Sequence, residues 1–339
     1  MSRRERRHLR RKGKKHQPEQ NKEGEQREQK PDENEEVKGW KVKLLHMYDK
    51  EYKKILIVPF AIFLLSIIII IGTVATTGDF INKGVSLKGG ITVTVFTDIV
   101  VDIDGFQNSL QDKFSGTDVE VRRISKAGMT VGFILDASDV TEEDLLTAVE
   151  AQVGPLDDIE YSVEETGSTL GESFFRETII ALLIAFVFMG VVVMLYFKSF
   201  VPSIAVILAA LSDMLGTIAV TDILGIRIST AGIAAFLMLI GYSVDTDILL
   251  STRVLKRQEG TVQSRVLDAM KTGMTMTGTT LVAILVVLLF TQSEVLKQIM
   301  TILLIGLILD LINTWLQNVG ILKWFIEHHP DKVQRIKKE

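Results

Sequence analysis

The stretch from Ile228 to Arg253 places two carboxylates inside an apolar run that is long enough to cross a lipid bilayer. The hydrocarbon core of a bilayer is about 30 Å thick and needs about 20 apolar residues per helix. Asp245 and Asp247 interrupt this run, and the apolar pattern resumes at Ile248. A carboxylate near the middle of a spanning helix costs about 2.5–3.5 kcal/mol on insertion scales. The pattern therefore predicts a membrane protein with a functional acid inside the bilayer.

The apolar residues of the chain are concentrated in several stretches of this kind. Hydrophobic residues make up 47% of the 339 residues, and their clustering predicts a polytopic α-helical membrane protein. We predict six transmembrane helices, called the first to sixth spans, at 55–77, 175–197, 201–221, 229–252, 272–291 and 297–320. The chain contains no cysteine, which excludes disulfides, thiolate catalysis and thiolate-bound metal.

The segment 78–172, between the first and second spans, has the composition of a soluble domain. Residues 91–96 alternate between apolar and polar as a strand does, and 119–124, 129–135 and 159–163 are further predicted strands. Residues 102–114 have helical periodicity, and Thr141 with Asp144 resembles a capping box at the start of a second helix. The order βαββαβ predicts a small α+β domain of the ferredoxin-like type.

The charges predict the orientation of the chain. Residues 1–54 carry eighteen Lys/Arg and eleven Asp/Glu, whereas residues 79–172 carry six Lys/Arg and nineteen Asp/Glu. The segment 253–271 and the C-terminal tail 323–339 are also rich in lysine and arginine. Because basic residues stay inside, both termini are predicted to be cytoplasmic and the domain 78–172 extracytoplasmic, in a multi-pass protein of the cell membrane.

The predicted tail 1–54 has few apolar residues and reads as a disordered cytoplasmic segment. Contact of its basic part with RNA or anionic lipid is one interpretation. A solvated arm that sets the membrane topology is the interpretation we favour, so no nucleic acid is expected as a partner.

Acidic residues fall at similar depths in three predicted spans. Asp213 lies twelve residues into the third span, or roughly 18 Å, and Asp245 lies eight residues before Arg253, or roughly 12 Å. Asp310 is near the middle of the sixth span, with Asn313 and Gln317 at helical spacing beneath it, and no lysine or arginine lies at that depth. Such carboxyl groups are either protonated or face a hydrated cavity or a cation from another chain.

Two roles are open for these acids. They could take up and release ions as the bundle changes shape, or they could hydrogen-bond neighbouring helices as structural contacts. We favour ion coupling, first for Asp213 and then for Asp245, with Asp310 as a further candidate. Asp247 is also a candidate, although it points to a different face of the fourth span from Asp245. For Arg253, at the membrane boundary, anchoring and a functional ion pair are equally open.

The glycine-rich segment from Gly84 to Gly90 does not have the form of a phosphate-binding loop. It lacks the Gly-Lys-Ser/Thr ending and precedes a strand instead of opening a helix. A tight turn into the sheet, with Gly84, Gly89 and Gly90 as its conformationally free residues, is the better interpretation. We find no motif for hydrolysis and expect no enzyme activity, cofactor or metal.

Several short motifs resemble the SecD/SecF family of protein-export membrane proteins. The resemblance is to the smaller subunit of this family, in its archaeal form. Gly84 to Gly90, GVSLKGG, is similar to the family's G-[IV]-D-F-T-G-G segment, with Ser86 and Lys88 in place of the usual acid and threonine. Asp213 matches the aspartate of the third helix. Thr217, four residues later, matches a threonine of the same helix. In the fourth helix, Gly241, Tyr242, Ser243 and Arg253 match the family's signature. In the fifth helix, the match is Thr277 to Val286.

The fourth helix departs from the bacterial pattern at two places. That pattern has Asn-Asp where this chain has Asp245-Thr246, and Thr252 replaces the acid before Arg253. The wider relatives are the RND transporters, which have two bundles per chain and larger outer domains.

The resemblance implies a function. SecD would supply the second half of the bundle, and the complex would help unfolded preproteins through the SecY channel. A proton or sodium gradient would act through the acids named above, with Thr217 and Arg253 as accessory residues, while the soluble domain moves with the cycle. Two alternatives are an uncoupled scaffold of the export complex and half of an RND-type small-molecule exporter.

Overall fold

The computed structural model describes residues 51–336 except positions 98, 100, 116, 127, 128, 157, 158, 258 and 292. Most of the predicted tail 1–54 and the last three residues therefore lie outside the described residues. Within the described part, six helices are long and apolar enough to cross a membrane. They are Tyr52–Thr77, Ser168–Phe197, Phe200–Ile223, Thr230–Lys256, Val262–Phe290 and Val295–His328. The expected number of spans is confirmed.

Several helices are longer than their apolar cores. The fifth helix begins at Val262, where the Thr261 side chain caps it by accepting a hydrogen bond from the Ser264 N–H. Half of the ten residues before the predicted span are polar or charged, but Val266 and Ala269 are buried at helical spacing. Hydropathy locates the part of a helix that lies in hydrocarbon, whereas a cap and a buried face decide where the helix begins.

The third and fourth helices form the centre of the bundle. More than half of each is buried, and both pack against each other and against the sixth helix. The first helix packs on the third, the second on the third and fourth, and the fifth on the fourth and sixth. A Cβ atom on Gly216 would press against Leu309, and one on Gly306 against Leu239. Small residues thus let the central helices approach closely, as is usual in membrane bundles.

The segment between the first and second spans folds into a four-stranded antiparallel sheet with two helices. Its elements in chain order are β1 Gly90–Phe96, α1 Ile103–Lys113, β2 Val119–Lys126, β3 Met129–Ala137, α2 Glu142–Val153 and β4 Glu160–Thr166. The strand order is β2-β3-β1-β4. Alternate residues of β1, such as Val93 and Val95, share one core with Leu110 of α1 and Leu145 of α2. Thr141 caps α2 through the Asp144 N–H, as its sequence predicts.

The segment 84–90 joins the sheet to the helical bundle. Residues Val85–Lys88 form one helical turn, and Gly89 and Gly90 have φ angles of 89° and 136°. A Cβ atom on Gly89 would collide with the Ser168 backbone, so this close approach needs glycine. The Gly84 N–H donates to the Ile228 carbonyl at 2.9 Å. The turn is therefore also a contact with the start of the fourth span.

Candidate ion-coupling site

Three aspartates from three spans meet inside the bundle. Asp213 of the third span, Asp247 of the fourth and Asp310 of the sixth are all fully buried. These three residues are called the aspartate cluster. Their side chains reach one another because the third, fourth and sixth spans pack in mutual contact.

Asp213 is held by hydrogen bonds from two other spans. The Ser243 hydroxyl of the fourth span donates to Asp213 Oδ2 at 2.6 Å. The Asn313 amide of the sixth span donates to Asp213 Oδ1 at 2.7 Å. The carboxyl group of Asp310 lies close to that of Asp213. Each oxygen of Asp213 thus accepts a hydrogen bond from a different span, so a shift of either span changes the hydrogen bonding of this carboxyl group.

One hydroxyl group lies between the other two aspartates. Thr314 Oγ1 is 2.9 Å from Asp247 Oδ1 and 3.1 Å from Asp310 Oδ1. A hydroxyl has one proton, which it either shares between the two acceptors or donates to one carboxyl group while accepting a proton from the other. The Asn318 amide also donates to Asp247 Oδ1 at 2.7 Å. The geometry suits a cluster that holds at least one proton.

The cluster has no cationic neighbour within the described residues. None of the salt bridges found there involves Asp213, Asp247 or Asp310. Asp247 Oδ2 and Asp310 Oδ2 are buried and accept no hydrogen bond from any residue that the structure describes. Ionised carboxylates in such a place carry a large desolvation penalty that only a proton, a bound cation or a rearrangement relieves.

A π-helical segment supplies the polar partners of the cluster. The sixth span changes from α-helix to π-helix over Asn313–Asn318 and returns to α-helix at Val319. Its wide turn presents four buried polar side chains, which are Asn313, Thr314, Gln317 and Asn318. Such π-helical turns are rare and are frequent at functional sites. Sequence reasoning identified Asn313 and Gln317 but missed Thr314 and Asn318, although four polar residues within six positions of an apolar span were a visible signal.

The structure places the two aspartates of the fourth span in different surroundings. Asp245 is exposed on the outside of the bundle, and Asp247 is the one buried in the cluster. Successive residues of a helix are rotated by about 100°, so Asp245 and Asp247 point about 160° apart. The prediction rested on depth along the helix, which does not specify rotation. Asp245 is therefore not part of this cluster.

The remaining predicted site residues divide between the cluster and other places. Thr217 is buried and its hydroxyl donates to the backbone carbonyl of Asp213 at 2.6 Å, not to its carboxyl group. Gly241 and Tyr242 are exposed, so Ser243 alone of that motif reaches the cluster. Arg253 donates to the Asp268 carbonyl at 2.6 Å and to the Thr272 hydroxyl at 2.9 Å. Arg253 thus ties the fourth span to the fifth, away from the cluster.

A second group of polar contacts fastens the soluble domain to the fourth span. Arg227, just before that span, pairs with Asp118 at 2.8 Å and with Glu120 at 2.5 Å. Lys88 pairs with Asp118 at 3.1 Å, and Ile228 donates to the Asn82 carbonyl at 2.7 Å. We call these contacts the domain junction. Sequence reasoning did not identify it, because Arg227 lies more than a hundred residues along the chain from Asp118 and Glu120.

The two acids of the domain junction are in different electrostatic surroundings. Burial alone would raise the pKa of Asp118, but the hydrogen bond from Lys88 and the charge of Arg227 outweigh it and lower that pKa. Burial dominates for Glu120 and raises its pKa in spite of the charges of Arg227 and Arg122. Asp118 is therefore the acid that strengthens the junction at neutral pH.

Comparison with known proteins places the chain in a family. Residues 146–328 match the family described as protein export membrane protein SecD/SecF, C-terminal. The protein-export membrane protein SecF of Pyrococcus furiosus is 39% identical over 293 residues, covering 86% of this chain and 97% of that protein. The SecF of Methanocaldococcus jannaschii is 40% identical over 289 residues, covering 84% and 99%.

A solved structure shares the fold. The crystal structure of SecDF, a translocon-associated membrane protein from Thermus thermophilus, superimposes with a TM-score of 0.66 at 19% identity. The match covers 83% of this chain but only 40% of that one. Together with the identities above 30% over most of the length, the family match shows that this multi-pass membrane protein belongs to the SecF family of protein-export membrane proteins.

Proposed function

We propose that the chain is an accessory subunit of the Sec protein-export machinery that works with SecD to promote the passage of preproteins through the SecY channel. Membership of the SecF family supports the export role. The chain covers 40% of SecDF, which is consistent with SecD supplying the other half. The acids serve transport in this proposal and catalyse no bond cleavage, so the chain is not an enzyme.

The proposed orientation puts both termini in the cytoplasm and the sheet domain outside. The excess of Lys/Arg in residues 1–54 and of Asp/Glu in residues 79–172 supports it. The strand order β2-β3-β1-β4, with two helices contributing to one core, supports a ferredoxin-like assignment for this domain.

We further infer that the aspartate cluster couples export to a proton gradient, or a sodium gradient. The observation that carries this inference is the Thr314 hydroxyl shared by two buried carboxyl groups that have no cationic neighbour in the described chain. Loss of a proton leaves a buried negative charge, which favours an arrangement of the spans that admits water or a cation. A potential of about 100 mV supplies about 2.3 kcal/mol for each charge moved across the membrane.

The fourth span connects the cluster to the soluble domain. It carries Ser243 and Asp247 in its middle, and Arg227 and Ile228 directly precede its start. A rotation or tilt of this helix therefore displaces the domain junction. In this proposal the soluble domain moves with each ion cycle and acts on the emerging preprotein.

The proposal is tested by measuring the export of a secreted reporter in cells whose only copy of the gene encodes Asp213→Asn. Asparagine keeps the shape of the side chain and one acceptor oxygen but cannot ionise. We expect export to be lost while membrane abundance and co-purification with SecD stay normal. Normal export with a normal complex would remove the coupling role from Asp213.

The uncoupled scaffold gives the opposite expectation. The hydrogen bonds of Ser243 and Asn313 to Asp213 join three spans, which is what structural polar contacts would do. A scaffold predicts that Asp213→Asn retains export as long as the complex assembles. Co-purification with SecD in the same cells distinguishes loss of coupling from loss of assembly. No specific observation favours the RND-type exporter.

A further inference from the structure

A basic groove lies between the fourth and fifth spans, at the end of the bundle where Arg253 joins them. It has a volume of about 710 Å³ and is lined by Arg253, Arg257, Lys271, Thr272, Thr275 and Thr279, together with Asp268 and Met276. The groove is separate from the aspartate cluster, which is enclosed among the third, fourth and sixth spans.

The groove has an excess of positive charge. Arg257 and Asp268 form a salt bridge at 3.2 Å, and both side chains are about half exposed. Arg253 uses one of its nitrogens for the Asp268 carbonyl and the Thr272 hydroxyl, which leaves other N–H groups of its guanidinium. Lys271 is exposed and belongs to no salt bridge found in the described part of the chain. Three cations thus face one carboxylate, and the groove attracts an anion.

A shallow apolar groove, formed by one face of the fifth span, continues from the basic one. It is lined by Met274, Thr275, Gly278, Thr279, Val282 and Ala283, and it shares Thr275 and Thr279 with the basic groove. The hydroxyls of Thr275 and Thr279 donate to the helix's own carbonyls of Lys271 and Met276, each at 2.8 Å. A Cβ atom on Gly278 would meet nothing within 4 Å. The apolar groove is therefore open and has no free hydroxyl donor at these positions.

The length of the two grooves matches one leaflet of a bilayer. From Lys271 to Ala283 the helix rises twelve residues, or about 18 Å, and half of the hydrocarbon core is about 15 Å. A charged end at the membrane boundary and an apolar groove of leaflet length describe one molecule with an anionic head and a long hydrocarbon chain.

We propose that these grooves bind one anionic phospholipid, with its phosphate between Arg257, Lys271 and Arg253 and one hydrocarbon chain along Gly278. The phosphate accepts hydrogen bonds from the guanidinium and ammonium groups. The hydrocarbon chain of the lipid covers the open space beside Gly278, which has no side chain. A free phosphate would use the basic groove alone, and a zwitterionic lipid would gain less from the three cations.

The test uses the full chain purified in detergent, with bound lipid counted by native mass spectrometry. The probes are phosphatidylglycerol, phosphatidylcholine and glycerol phosphate. We expect phosphatidylglycerol to bind most tightly. Each basic residue near an anionic surface is worth about 1 kcal/mol, so the double variant Arg257→Gln with Lys271→Gln should weaken its binding about 10- to 30-fold. High salt should also weaken binding.

Matched variants separate the site from general effects of charge and size. Lys256→Gln removes a cation from the same end of the fourth span, but Lys256 lies over the Tyr196 ring and outside the groove, so binding should not change. Gly278→Leu fills the apolar groove and should weaken lipid binding without lowering the unfolding temperature of the lipid-free chain. Gly72→Leu adds the same side chain on the first span, where a Cβ also meets nothing within 4 Å, and should have no effect.

Four outcomes would overturn the proposal. Equal binding of phosphatidylcholine, or unchanged binding in the double variant, would remove the role of the cations. Binding of glycerol phosphate as tight as that of phosphatidylglycerol, with no effect of Gly278→Leu, would indicate a free-phosphate site. Loss of SecD co-purification in Gly278→Leu with unchanged lipid binding would assign the apolar groove to a partner helix. If the double variant does not fold, Gly278→Leu against Gly72→Leu decides the question alone.

Discussion

Ser243 and Asp247 are four residues apart on the fourth span and share one face of that helix. This face meets Asp213 through Ser243 and the π-helical segment through Asp247. Asp245 lies between them in sequence and points to the outside of the bundle. Two acids at nearly the same depth therefore have different surroundings, and Asp247 is the one that lies in the aspartate cluster.

We expect Asp247→Asn to abolish export and Asp245→Asn to leave it close to normal. If one charge crosses the membrane in each cycle, its loss removes about 2.3 kcal/mol of free energy per 100 mV. This changes the equilibrium between the two arrangements of the spans about 50-fold. The measurement is reporter export in cells that contain equal amounts of either variant. The reverse result, with Asp245→Asn defective and Asp247→Asn normal, would show that the buried cluster is structural.

The lowered pKa of Asp118 predicts a pH dependence at the domain junction. A carboxyl group whose pKa is lower in the folded protein stabilises it above the ordinary pKa of aspartate, about 3.9, and this contribution is lost as the pH falls through the folded value. We expect Asp118→Asn to lower the unfolding temperature at pH 7, and the difference from the wild type to close as the pH falls below the ordinary pKa of aspartate.

Glu120→Gln is the matched control for this measurement. Because burial raises the pKa of Glu120, its ionised form opposes folding at pH 7 and acidification relieves this effect. Glu120→Gln should not lower the unfolding temperature at pH 7. A gap between the wild type and Asp118→Asn that widens on acidification would contradict the assigned electrostatics.

The fifth span shows how one helix combines a packed face with an open face. Gly273 faces the sixth span, where a Cβ atom would collide with the buried ring of Trp315, whereas Gly278 faces open space. Trp315 lies within the π-helical segment, so the close packing at Gly273 holds that segment in place. The polar partners of the aspartate cluster thus depend on a glycine of a neighbouring helix.

We expect Gly273→Ala to destabilise the chain and Gly278→Ala to stabilise it. Overpacking against a rigid ring costs about 1–3 kcal/mol, whereas replacing a helical glycine by alanine at an open position contributes up to about 1 kcal/mol. Unfolding temperatures of both variants in the same detergent provide the measurement. Equal shifts in the same direction would mean that the fifth and sixth spans are not packed as closely as the structure shows.

At the scale of the whole molecule, the fourth span links the soluble domain to the centre of the bundle. The Ser86 hydroxyl accepts a hydrogen bond from the Thr230 N–H at 3.3 Å, beside the Arg227 ion pairs of the domain junction. Motion of the domain relative to this helix requires these contacts to break or rearrange.

A reversible covalent link tests this motion. The chain has no cysteine, so Ser86→Cys and Thr230→Cys would supply its only two thiols. We expect oxidation of the pair to stop export and reduction to restore it, because a disulfide prevents the two segments from separating. Each single-cysteine variant should export normally under both conditions. Normal export by the fully oxidised pair would show that the domain and the fourth span move together.

The sequence alone predicted the features that depend on local pattern. Six apolar runs gave the six spans, and alternation, helical spacing and the Thr141 cap gave the order of strands and helices between the first two spans. These features follow from neighbouring residues, since burial in lipid or on one sheet face needs a periodic arrangement within a few turns. Asp213 was also recognised, because a buried acid in an apolar run is unusual wherever it occurs.

Only the tertiary structure decided which residues meet. Asp247 enters the cluster in place of Asp245 because of the rotation of the fourth span about its axis, which depth along the helix does not specify. Thr314 and Asn318 reach Asp247 through a π-helical turn held by packing against other spans. Arg227 finds Asp118 across more than a hundred residues because the sheet domain rests on the bundle. Each of these contacts joins separate elements. The relative positions of those elements are set by the tertiary packing of the whole molecule.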